Sequence, residues 1–153
     1  AGADVIVLDG MQGGTAATQE VFIEHVGQPT LACIKPAVKA LQSLGMHRKV
    51  QLIISGGIRT GADVAKAIAL GADAVSIGSA ALIAIGDNNP IWEEDYKLLG
   101  TTAGAYDDWQ EGKDPAGITT QDPSLTKRLD PKIAGQKLQN YLNVLNTVLK
   151  YHY

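Results

Sequence analysis

The feature that most constrains this chain is a unit recurring through residues 1–86: a short β-branched run, a glycine-rich turn, then apolar residues at helical spacing. Val5 to Leu8 (VIVL) runs into Gly10-Met11-Gln12-Gly13-Gly14-Thr15, Val50 to Ile54 (VQLII) into Ser55-Gly56-Gly57, and Ala74 to Ile77 (AVSI) into Gly78-Ser79. Continuous apolar strands alternating with helices build a parallel sheet with right-handed crossovers, its strands buried on both faces. Thr18 can cap a helix carrying Val21, Phe22 and Val26. Pro36 opens a second helix that stops at Gly45, Thr60 or Asp63 starts a third with Val64, Ala65, Ile68 and Ala69, and Ala80 to Ile85 starts a fourth.

The unit from Gln51 to Ser79 is the tightest, and two glycine-ended strands in succession predict the end of a (β/α)8 barrel. The expected fold class is α/β: the C-terminal portion of a TIM barrel, about its last three strands, with a doubly wound sheet as the competing architecture. Residues 87–129, rich in Gly, Asp, Thr and Pro, predict a loop-rich extension anchored by Trp92, Tyr96, Tyr106 and Trp109. Asp130-Pro131 predicts the start of a terminal helix within 130–153, with apolar Ile133, Leu138, Tyr141, Leu142, Leu145 and Leu149. Three parallel strands leave an open edge and half a core, and the chain starts on Ala1-Gly2-Ala3-Asp4 without Met, so it is expected to be part of a larger barrel.

Composition narrows the partners. A formal charge of −3, with no basic run longer than Lys127-Arg128, gives no hold on polyanions, so nucleic acid is not an expected partner. The single cysteine, Cys33, is expected to be a small buried residue and fits a reducing, cytoplasmic compartment. The longest apolar stretch, Ala80 to Ile85, is too short to cross a bilayer, and no basic segment opens a signal peptide, so no membrane partner is expected.

Ser55-Gly56-Gly57-Ile58-Arg59-Thr60-Gly61 is the most informative string. Successive glycines after a strand let backbone N–H groups converge on an anion, and the following helix adds its positive end, so a phosphate can bind without lysine. Gly78-Ser79-Ala80 is a second such cradle after the next strand. Either loop alone reads equally well as a tight turn with a helix cap. As a pair on successive strands they favour a barrel-type phosphate site.

Four strings, Gly13-Gly14-Thr15-Ala16-Ala17, Ser55 to Val64, Ala72 to Ala84 and Gly117-Ile118-Thr119-Thr120-Gln121-Asp122-Pro123, stand in an order that resembles the FMN-binding synthase domain of glutamate synthases and its single-domain relatives. The second string alone also resembles IMP dehydrogenase, type 2 isopentenyl diphosphate isomerase and the glycolate oxidase group; the first and last narrow the choice. The resemblance implies FMN as cofactor, its phosphate held by Gly56, Gly57, Gly78 and Ser79, with further amides from Ile58 and Ala80. It implies Gly13, Gly14 and Thr15 beside the flavin and a 2-oxoglutarate-derived substrate. Gln12 is either a polar group near the ring or a solvated loop residue, and Arg59 pairs with a phosphate or, slightly favoured, with Asp63. The implied reaction joins 2-oxoglutarate and ammonia and reduces the product to glutamate with hydride from reduced flavin. Glutaminase-type or other subunits, and further copies of the chain, are the implied protein partners.

One departure qualifies the resemblance. Full synthases carry a cysteine-rich 3Fe-4S segment just before the last string, whereas here Trp109 to Gly117 has Asp114 where a cysteine is expected, and no cysteine occurs in residues 80–153. This adds weight to cluster-less relatives such as the N-methylglutamate synthase large subunit, acting on methylamine and glutamate. A non-catalytic scaffold is the reading from another class. His25, His47 and His152 have no metal-ligand spacing, and Asp107-Asp108 and Glu93-Glu94-Asp95 read as solvated turns and a helix start, so no metal site is expected. No Gly-x-Ser-x-Gly, Walker loop or HExxH supports a hydrolase or NTPase.

Overall fold

A computed structural model describes residues 2–13, 20–99 and 112–151. The recurring unit forms one parallel sheet of β1 (Val5–Asp9), β2 (Gln51–Ser55) and β3 (Ala74–Val75), in that order. The register runs from Val5 opposite Gln51 to Asp9 opposite Ser55, and Ile53 and Ile54 stand opposite Ala74 and Val75. This α/β arrangement is compatible with part of a TIM barrel.

The strands are not equally covered. On central β2, Leu52 and Ile54 are buried, but Val5, Ile6 and Val7 of β1 are 48%, 41% and 59% exposed. The expectation of burial on both faces fails for β1, which has β2 on one edge and no strand on the other among the described residues. Strand β3 ends at Val75, short of the expected Ile77, although the Ser76 N–H still donates to the Ile54 carbonyl.

Six-residue α1 (Glu20–His25) precedes α2 (Thr30–Ser43), whose Thr30, Ile34, Val38 and Leu41 are buried. Pro36 lies inside α2, correcting the expectation that it opens the helix. An interior proline costs about 3 kcal/mol. Burial of Ile34, Val38 and Leu41 in the core formed with β2 contributes about 1.5–3 kcal/mol per side chain, so the tertiary stripe outweighs the local penalty. Cys33 is half-buried rather than fully buried; its Sγ sits 3.4 Å from the Pro29 carbonyl.

Helix α3 (Gly61–Leu70) opens on a capping box: the Asp63 N–H donates to Thr60 Oγ1, and the Thr60 N–H donates to Asp63 Oδ2. Helix α4 (Ser79–Ile85) follows β3, and the terminal α7 (Pro131–Tyr151) packs against both α3 and α4. Asp130 caps α7 as expected, accepting from the Lys132 and Ile133 N–H groups. Of its predicted apolar positions, Leu145 is buried, whereas Ile133 and Leu142 are 56% and 42% exposed.

Between α4 and α7 the chain is more regular than expected, with a 3-10 turn (Pro90–Trp92), α5 (Glu93–Leu98) and α6 (Pro123–Thr126). Arg128 ties this region together: its guanidinium lies 4.2 Å from the Trp92 ring centroid, pairs with Asp95 at 2.8 Å and donates to the Pro115 carbonyl. Tyr96 is a buried anchor, as expected. Tyr106, Trp109, Asp107, Asp108 and His152 lie outside the described residues.

Candidate functional site

A cavity of about 670 Å³ opens where the strands end. Asp9, Gln12 and Gly13 line it from the β1 side, Gly56, Gly57, Ile58 and Arg59 from the loop after β2, and Gly78, Ser79 and Ala80 from the loop after β3. These residues are distant in sequence, yet parallel pairing brings all three strand ends to one side of the sheet. Of the sequence-predicted site residues, Gly14 and Thr15 lie outside the described residues; the others share this cavity.

The loop after β2 is built for an acceptor it does not itself supply. Gly56 and Gly57 have φ of 106° and 70°, a left-handed pair that L side chains rarely adopt. Among the described residues, the N–H groups of Gly56, Gly57 and Ile58 have no hydrogen-bond acceptor, although Gly56 and Ile58 are buried. Buried amides are almost always paired, so the two at Gly56 and Ile58, flanking the half-buried Gly57, mark a place where an outside acceptor fits. The next two amides behave oppositely: Arg59 and Thr60 donate to Asp63 Oδ2 at 3.2 and 2.9 Å. After β3, the N-cap of α4 is Gly78, which has no side chain to satisfy the first-turn amides.

Gln12 has φ 75°, strained for a residue with a Cβ, and its N–H donates to the Ile23 carbonyl at 2.8 Å. Its exposed side chain sits beside Gly57, where an added Cβ would lie 3.0 Å from Gln12 Cβ. Gly13 stands against Gly56, and a Cβ there would come within 2.8 Å of Gly56 Cα. The first and second strand-end loops therefore touch through backbone.

Arg59 departs from the favoured expectation. Its contact with Asp63 runs through the main-chain N–H, and the guanidinium makes no ion pair among the described residues. Burial raises the Asp63 carboxyl, but hydrogen bonds from the Thr60 side chain and the Thr60 and Arg59 amides, with the charge of Lys66, leave it below its ordinary value. Asp63 is thus already occupied by the helix cap, while Arg59 remains on the cavity wall.

Tyr141 was missed as a site residue. It reads in sequence as one more apolar position of the terminal helix, yet it lines the cavity and its hydroxyl donates to the Arg59 carbonyl at 2.8 Å. Burial, then the charge of Asp63, raises its phenol above the ordinary value. Nothing in the local pattern separates it from Leu138 or Leu145; docking of α7 decides its role.

Asp114 is 4% exposed, and its carboxylate accepts from the Tyr96 hydroxyl and from the N–H groups of Ala116, Ile118 and Thr119. The group standing where a cluster cysteine was expected is therefore committed to its own loop. Burial, followed by the charges of Asp114 and Asp87, pushes the Tyr96 phenol well up, and burial with the Asp114 charge raises the Asp87 carboxyl. His47 is another unusual polar group, with a buried Nε2 that has no hydrogen-bond partner among the described residues. Among the described residues no three His, Cys, Asp or Glu side chains are grouped to hold a metal ion, and no helix is long and apolar enough to cross a membrane.

Fold and site together define an α/β protein whose parallel strands end on one glycine-lined cavity. Residues 1–89 match the family described as the conserved region in glutamate synthase, and the chain belongs to that family. It is 80% identical over 145 residues to a glutamate synthase large subunit-like protein of Rhizobium meliloti (strain 1021), covering 95% of this chain and 33% of the relative. It is 44% identical over 142 residues to an archaeal-type glutamate synthase (NADPH) of Thermotoga neapolitana, covering 93% and 25%. A third relative, an archaeal glutamate synthase (NADPH) of Methanocaldococcus jannaschii, is 39% identical over 148 residues, covering 97% and 26%. The chain thus spans between a quarter and a third of these relatives' length.

Proposed function

We propose that these residues form the phosphate-binding part of an FMN-dependent glutamate synthase-type oxidoreductase, which makes glutamate from 2-oxoglutarate and ammonia. The observation that carries this reading is the run of amides at Gly56, Gly57 and Ile58, the first and last buried, that meet no acceptor among the described residues on the wall of a cavity of about 670 Å³. These amides would hold the FMN phosphate, joined by Gly78, Ser79 and Ala80 from the neighbouring loop, and the Arg59 guanidinium adds charge for an anion. When bound, the flavin supplies the hydride chemistry. Gln12, held at a strained φ between the β1 loop and Gly57, orients a polar group toward the ligand, and Gly13, without a Cβ, lets its loop close on Gly56. Gly14 and Thr15 complete the proposed catalytic loop. The rest of the barrel, the electron-donating parts and any glutaminase-type or identical subunits belong to the longer protein, in the cytoplasm.

The commitment of Asp114 to its own loop favours a second reading, N-methylglutamate synthesis from methylamine and glutamate by a relative without an iron–sulfur cluster. Native protein should be yellow, with oxidised-flavin absorbance near about 450 nm. A colourless intact complex that takes up no FMN overturns both enzyme readings in favour of a scaffold. Product analysis with ammonia and then methylamine divides the two, and accumulation of neither product removes the substrate assignment.

A further inference from the structure

We infer that Thr30 is a positioning residue that locks the loop after β1 to the cradle after β2 and so sets the spacing of the two halves of the ligand cavity. Thr30 is 2% exposed at the start of α2, a place where a hydroxyl needs a partner. Its Oγ1 donates to the Met11 carbonyl at 2.8 Å and lies 3.4 Å from the Ser55 carbonyl. One hydroxyl therefore touches the residue before Gln12 and the residue before Gly56. The packing is as tight as the hydrogen bonding: a Cβ added at Gly10 would lie 2.4 Å from Thr30 Oγ1, and one added at Gly56 would lie 2.7 Å from the same atom. Two glycines from different loops are thus closed around one side chain, which no loop rearrangement can keep in place while moving the other.

The lock reaches the ligand through Gln12 and Gly56. Gln12 follows the carbonyl that Thr30 holds, and Gly56 carries the first of the unmet amides. Losing the hydroxyl frees the Met11 carbonyl and leaves the loops joined by the Gly10 N–H bond to the Ser55 carbonyl and the Gly13–Gly56 contact, a looser coupling that blunts binding without touching a ligand atom. The distinction from an ordinary core residue is that valine fills the same volume but lacks the donor, whereas serine keeps the donor and loses a methyl.

The test compares Thr30→Val with Thr30→Ser in the full chain by amide hydrogen exchange and by FMN titration; its binding arm rests on the flavin reading above. Exchange in 10–12, whose amides donate to the Ser55, Gln28 and Ile23 carbonyls, and in 56–58 once FMN is bound, is expected to rise about tenfold in Thr30→Val and to stay within about twofold of the parent in Thr30→Ser, with α3 and α7 unchanged in both. The FMN dissociation constant should rise about tenfold in Thr30→Val and recover in Thr30→Ser. Unchanged exchange in both loops, a uniform rise across the sheet and helices, or failure of serine to rescue overturns the inference. If the parent binds no FMN, the flavin reading falls, and the exchange data decide the lock alone.

Discussion

Two glycine-bearing loops of this chain solve the same problem in opposite ways. Residues 56–58 follow β2 and leave three amides without an acceptor among the described residues, whereas residues 114–119 wrap three amides around their own Asp114 carboxylate. Both contain a left-handed glycine, and both are substantially buried. What separates them is an internal anion. A loop that carries its own acceptor is finished by folding; a loop that lacks one remains unfinished until something else binds.

The comparison breaks first at Asp114. Asp114→Ala should leave the buried Tyr96 hydroxyl and the amides of Ala116, Ile118 and Thr119 without their acceptor and lower the unfolding free energy by about 3 kcal/mol in a urea titration. A variant as stable as the parent would show that the loop closes without its carboxylate. The next largest effect is at the unfinished loop. Gly56→Ala forces a Cβ to 2.7 Å from the Gly10 carbonyl oxygen at a φ of 106°, and it should cost about 2 kcal/mol and abolish retention of FMN through gel filtration. Undiminished flavin in this variant places the acceptor elsewhere.

Two smaller effects sharpen the boundary between finished and unfinished amides. Asp63 ends the unmet run by taking the amides of Arg59 and Thr60, and its carboxyl is held below the ordinary 3.8. A depressed carboxyl contributes stability above its unfolded value and loses it as pH falls through the folded value. Asp63→Ala should therefore cost about 1 kcal/mol at neutral pH, and the gap from the parent should close as pH drops below 3.8, followed by thermal unfolding across an acid series. A gap independent of pH would rule out the charged cap. Tyr141→Phe removes the donor to the Arg59 carbonyl, and a loss of about 0.5–1 kcal/mol, with a correspondingly small weakening of FMN binding, is expected by calorimetry. No change would mean that α7 covers the cradle without gripping it.

The legible parts of the molecule are those set by near neighbours. The strand and glycine rhythm, a helix start at Thr60 or Asp63 and the Asp130-Pro131 start of α7 are short-range patterns, and each appears in the fold, with Thr60 as the cap of α3 and β3 shorter than its apolar run. The glycine pair after β2 was legible for the same reason, because left-handed backbone demands glycine. Pro36 misled because its local preference is real but is outweighed by the stripe of Ile34, Val38 and Leu41 in the core. The burial of β1 was overestimated because a strand's apolar face reports what it can bury and carries no record of what covers it.

By itself, then, the sequence determined the alternation of strands and helices, the caps, and the glycine turns at the ends of the strands, since each depends on backbone geometry and contacts a few residues apart. The tertiary structure decided the rest. It selected the face of α7 that brings Tyr141 to Arg59 and placed Thr30 between two loops. These outcomes depend on burial and on partners 19 or 82 residues away, as for Thr30 and Tyr141, and no local pattern encodes such distances.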